Sequence, residues 1–190
     1  MQDGFVWLDE AVPGILWDAK YATSDNFTGA PVDGYRTRRV AGSCELARAL
    51  ARAAAAASAQ GLKLLVWDGY RPQRAVDCFL RWSCAPEDGK TKRAHYPNID
   101  KSQIVPLGYV AARSGHSRGG AVDLTLARAD GSPLAMGGGF DLMDEISHHG
   151  AAVSPEAAQN RLLLRALMEQ NGFSAYENEW WHYALIDEPY

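Results

Sequence analysis

The stretch Ser114 to Leu126, SGHSRGGAVDLTL, decides how the rest of the chain is read. Its second half continues as Ala121 to Ala127, AVDLTLA, an apolar run of strand length. Asp123 falls inside that run, where an unpartnered carboxylate would be costly to desolvate. Either a partner meets it or the strand reading fails. His116 stands seven residues earlier in a Ser-, Arg- and Gly-rich segment, and imidazole is a common metal donor. Gly119 and Gly120 are expected to let the backbone turn tightly between the two.

On the N-terminal side, SCELARALARAAAAASAQ (43–60) is built from strong helix formers, with Ser43 placed as N-cap and Gly61 as stop. LKLLVW (62–67) reads as a buried strand, followed by the turn residues Asp68 and Gly69. Arg71 and Pro72 then open a second helix whose apolar face is VDCFLRW. Residues 85–113 show little periodicity and read as a long loop region. On the C-terminal side, ADGSP (129–133) is a turn, Ser154-Pro155-Glu156 starts a third helix that Gly172 stops, and Trp181 to Ile186 forms a last strand. Helices and strands mix without regular βαβ alternation, so the expected fold class is α+β.

The chain has 190 residues, 47% of them hydrophobic, enough to bury a core within one domain spanning residues 1–190. Nineteen Lys and Arg against 23 Asp and Glu leave a net charge of -4 with no block of like charge, so nucleic acid is not an expected partner. The start, MQDGFVWLDEAVPG, lacks the pattern of a secretory signal, and no apolar run approaches a membrane span. A cytoplasmic protein without membrane attachment is expected. Cys44, Cys78 and Cys84 have no zinc-type spacing and read as buried or free thiols.

The chemistry gathers around His116, Asp123 and the segment EWWH (179–182). A catalytic zinc takes three nitrogen or oxygen ligands and leaves one position open, and His116, Asp123 and His182 supply that set. Glu179 lies three residues before His182, placed to take a proton from water attacking a carbonyl and to hand it to the leaving amine. Arg71 could meet an oxyanion or a substrate carboxylate. The neighbouring His148 and His149 diverge on either a helix or a strand, so a surface or loop-anchoring role is expected of them. His95 sits in the long loop with no obvious donor nearby.

The pattern S-x-H-x-x-G-x-A-x-D at Ser114, His116, Gly119, Ala121 and Asp123, with E-x-W-H at Glu179, Trp181 and His182, resembles the zinc D-Ala-D-Ala dipeptidases of the VanX type. YATSDNFTG, PVDGY, WDGYRP, MGGGFDLMDE, SHH, AQNR and EWWHY with DEPY extend the likeness over nearly the whole chain in family order. The resemblance implies one zinc per chain on His116, Asp123 and His182, with Glu179 as catalytic base and Arg71 stabilising the transition state. It also implies that Tyr21, Ser114 and Asp141 shape the dipeptide pocket or meet its ammonium group. The implied fold is the small α+β zinc peptidase shared with D,D-carboxypeptidases and the hedgehog signalling domain, a central antiparallel sheet flanked by helices. The implied partner is a free dipeptide, and a homodimer is left open. Ser24 stands where the family resemblance leads one to expect tryptophan, and Gly115 loosens the approach to the first ligand. Two rival readings are a D,D-carboxypeptidase acting on wall-precursor peptides and a catalytically silent zinc module. The missing signal speaks against the first, and the intact Glu179 against the second.

Overall fold

The computed structural model describes residues 3–188. The last two residues of the DEPY segment lie outside that range. Seven strands form, β1 (Phe5–Trp7), β2 (Leu16–Trp17), β3 (Ala41–Ser43), β4 (Lys63–Asp68), β5 (Ala121–Ala127), β6 (Phe173–Tyr176) and β7 (Glu179–Leu185). The helices are α1 (Leu8–Ala11), α2 (Cys44–Ser58), α3 (Gln73–Cys84), α4 (Lys92–His95) and α5 (Pro155–Glu169). Strands β1 and β3 pair on their own, while the main sheet has five strands in the order β2-β4-β5-β7-β6.

Three of the four pairings in the main sheet are antiparallel, as expected, and the β2–β4 edge is parallel. That edge departs from the all-antiparallel expectation for a physical reason. The connection from β2 to β4 is long and contains α2, so the chain can return in the same direction, which no tight hairpin allows. β5 lies at the centre and is buried on both faces along its length, which accounts for its nearly continuous apolar reading.

Both long helices start as the sequence dictates. The Ser43 Oγ accepts from the Leu46 N–H at 3.1 Å, and the Ser154 Oγ accepts from the Ala157 N–H at 3.2 Å. Leu46, Leu50, Ala53 and Ala57 recur at helical spacing and are buried on one side of α2. They join Leu164 and Leu167 of α5 and Leu64, Val66, Val122 and Leu124 of the sheet in one core. A second apolar cluster gathers Tyr21, Phe27, Phe79, Tyr96, Ile104 and Val110. Much of the segment 85–113, expected as loop, is therefore packing material, carrying α4 and a short 3-10 turn.

Candidate metal centre and substrate cavity

Asp123 and His182 are direct partners across the β5–β7 ladder, so their side chains leave the same face of the sheet. The His182 Nδ1 stands 3.0 Å from Asp123 Oδ1. His116 arrives from a 3-10 turn, Gly115–Arg118, which Ser114 caps and Gly119 ends in the left-handed region at φ 77°. Its Nε2 lies 3.1 Å from His182 Nδ1 and 3.2 Å from Asp123 Oδ2. The His116 Nδ1–H donates to the Gly69 carbonyl at 2.7 Å, which leaves Nε2 with its lone pair turned toward the other two.

This donor set fits a divalent metal. Two imidazoles and a carboxylate converge with spacings of 3.0–3.2 Å. The edge of a tetrahedron around zinc with ordinary bond lengths is about 3.3 Å. His116 and Asp123 are also only 1% and 2% exposed. The two imidazoles and the carboxylate can face a single cation from three sides, and among the described residues this trio is the one group placed to hold one.

Residues that the sequence reading passed over stand behind this group. Asp68, taken for a turn residue, is buried and accepts from the Tyr35 hydroxyl at 2.8 Å and from Arg71 Nε at 2.9 Å. Burial, with the Asp68 charge beside it, pushes the Tyr35 hydroxyl well above its ordinary range, so it stays a donor. Arg71 Nη2 donates to Asp123 Oδ2 at 3.1 Å, and the guanidinium lies 5.1 Å from the Tyr21 ring centroid and 5.4 Å from that of Phe79. Arg71 thus links Asp68 to the proposed ligand Asp123. A signal was present in the sequence: an acid closes an apolar strand three residues before an arginine.

His116, Asp123 and His182 line a cavity of about 240 Å³ whose lining also includes Arg71, Ser114, Glu179, Asp141 and Tyr21. All eight residues singled out as candidates reach this one cavity, and Ser24 does not line it. The Glu179 Oε2 lies 4.0 Å from His182 Nδ1, and burial pushes its carboxyl up to about 7. The Tyr21 hydroxyl is 2.9 Å and 3.0 Å from the two carboxylate oxygens of Asp141 and donates there. Asp141 holds a left-handed backbone at φ 56°, and burial together with the Asp123 charge raises its carboxyl well above the usual range. The Ser114 Oγ accepts from the His116 N–H at 3.3 Å.

The remaining histidines and the cysteines lie elsewhere. The His149 N–H donates to the Glu177 carbonyl and its ring stands 6.1 Å from Tyr183, a loop-anchoring arrangement as expected. His95, which the sequence left without a partner, bonds through Nδ1 to the Asp141 carbonyl. All three cysteines are free, with Cys84 exposed and the other two half-buried.

The chain belongs to the Peptidase M15 family. The description matched over residues 1–190 is that of the D-Ala-D-Ala dipeptidases. A D-alanyl-D-alanine dipeptidase of Streptomyces coelicolor is 59% identical over 192 aligned positions, and one of Enterococcus faecium is 57% identical. Each alignment covers 100% of this chain and 95% of the relative. A solved zinc-bound D,D-pentapeptidase variant from a VanB-type vancomycin-resistance cassette shares 16% identity with a TM-score of 0.48, covering 77% of this chain and 74% of its own.

Proposed function

We propose that this chain is a zinc-dependent dipeptidase that splits D-Ala-D-Ala with water into two molecules of D-alanine. The observation that carries the reading is the convergence of His116, Asp123 and His182 on a small cavity that also holds Glu179, Arg71 and Asp141. The M15 membership and the D-alanyl-D-alanine dipeptidase relatives support it. One zinc per chain would sit on those three ligands, and the chain would act as one cytoplasmic domain. No helix among the described residues is long and apolar enough to cross a membrane, which fits that assignment.

Bound there, zinc supplies Lewis acidity that polarises a peptide carbonyl and makes water a competent nucleophile near neutral pH. The Glu179 carboxylate takes a proton from the attacking water and delivers it to the departing amine nitrogen. In the cavity wall 4.0 Å from His182, it is placed for both halves of that transfer. Arg71 is already anchored to Asp68 and Asp123, so it meets charge developing on the carbonyl oxygen without reorganising. Asp141, held by Tyr21, receives the substrate ammonium, whose charge restores the ionised form that burial disfavours. Ser114 shapes the wall beside the first ligand.

The cavity of about 240 Å³ is smaller than the ~300–1,000 Å³ of sites for drug-sized ligands, which supports a free dipeptide as substrate. Removing D-Ala-D-Ala would deplete a wall precursor, serving glycopeptide resistance or recycling of D-alanine. Hydrolysis of free D-Ala-D-Ala should be compared with that of a tripeptide and a pentapeptide ending in D-Ala-D-Ala. We expect turnover of the dipeptide alone, and abolition by chelation. Release of D-alanine from the longer peptides with none from the dipeptide would make the protein a D,D-carboxypeptidase instead.

A further inference from the structure

Arg161 of α5 is buried to 2% exposure, yet among the described residues no carboxylate pairs with it. Its guanidinium is instead spent on backbone. Nε donates to the Met136 carbonyl at 2.6 Å, Nη1 to His148 at 2.8 Å and Nη2 to Ile146 at 2.9 Å, while the group stands 5.7 Å from the Trp180 ring centroid. Those carbonyls lie at the two ends of one irregular segment, residues 136–148, with Asp141 midway between them.

We propose that Arg161 is a positioning residue that staples the ends of this segment and so sets where Asp141 stands in the cavity. The inference rests on the reading of Asp141 as the receiver of the substrate ammonium. A rigid planar fork with five donors suits three carbonyls arriving from different directions, which an ammonium point charge matches less well. The middle of the segment has a separate brace. His95 Nδ1 is 3.2 Å from the Asp141 carbonyl, and the Met143 N–H donates to the His95 carbonyl at 2.7 Å. Asp141 keeps a left-handed φ of 56°, a conformation that persists where surrounding contacts impose it. Staple and brace supply those contacts, and neither Arg161 nor His95 lines the cavity.

The test is steady-state kinetics on D-Ala-D-Ala with the zinc-loaded enzyme, comparing Arg161→Met, Arg161→Lys, Asp141→Asn and the Arg161→Met, Asp141→Asn double variant. Arg161→Met should raise KM about tenfold while kcat stays within about twofold and zinc content is unchanged, the pattern of lost binding common to ground and transition states. Arg161→Lys should recover part of the loss, and in the Asp141→Asn background Arg161→Met should leave KM where Asp141→Asn already put it. If Arg161→Met fails to fold, Arg161→Gln, which cannot reach all three carbonyls, is read in the same cycle. An unchanged KM in the single variant would overturn the staple, as would an undiminished effect in the Asp141→Asn background or a fall in kcat that tracks loss of zinc. Asp141→Asn with the parent KM would instead remove the ammonium reading itself, and the staple's function with it.

Discussion

Burial raises the Glu179 carboxyl from its ordinary 4.5 to about 7 in the metal-free protein, and the sign of that shift fixes a pH dependence of stability. The folded state holds this proton more tightly than the unfolded chain, so the contribution is complete below the unfolded value and lost as pH rises through the folded one. The shift corresponds to on the order of 3 kcal/mol. Denaturant titrations of chelated protein should therefore show stability falling between about pH 5 and pH 8, and Glu179→Gln should flatten that slope. Asp68 and Asp141 are shifted upward as well and keep a residual slope in the variant. In the zinc-loaded enzyme the same substitution should retain the metal and cut kcat by roughly 10²–10⁴-fold, as removal of a general base does, checked by metal analysis beside the rate. Asp123 announced itself in the sequence, because a carboxylate inside an apolar strand needs a partner, while His116, Glu179 and His182 were picked out by the residue set and the family resemblance; all four line one cavity. Asp68 and Tyr35 were not picked out. The spacing of Asp68 to Arg71 was a signal, but an acid before glycine is also an ordinary turn signal and masked it, and the fold shows the Asp68 carboxylate buried between a tyrosine and an arginine.

Among the elements, the turn that delivers His116 is the most sharply constrained. Gly119 ends it at φ 77°, and a Cβ there would clash with Phe5 Cε1. Gly119→Ala combines a disfavoured backbone with a clash and should cost about 2–4 kcal/mol, with weakened zinc retention because the turn carries a proposed ligand. A thermal melt with zinc titration checks both effects. The central elements were readable from sequence: β5 over Ala121–Ala127 and α2 and α5 from their caps and apolar faces. The shorter ones were not. β6 spans four residues directly after Gly172, and β1 and β3 pair over three residues each, too few for alternation to register. The segment 85–113 misled for a different reason. Tyr96, Ile104 and Val110 bury themselves as isolated anchors, so the second core forms without a periodic pattern.

At the scale of the molecule, His182 joins His116 and Asp123 from 66 and 59 residues away, so an ion held by the three should couple to global stability. Chelation should lower the melting temperature, and returning zinc to about 100-fold over its dissociation constant should raise it by roughly 5–10 °C. His182→Ala should abolish that response, as calorimetry with and without zinc would show. The α+β class was available from the ordering of periodic segments and the sheet-with-helices arrangement from the family resemblance, but the parallel β2 edge was not, since two residues carry no directional signal. The ladder between β5 and β7 sets Asp123 against His182. A slip of one residue would place Asp123 opposite Trp181 or Tyr183 and turn the imidazole to the other face. Frame and donor set are therefore one property: a chain zipped one residue out would bring together no such trio, so zinc retention by refolded protein would report correct strand pairing.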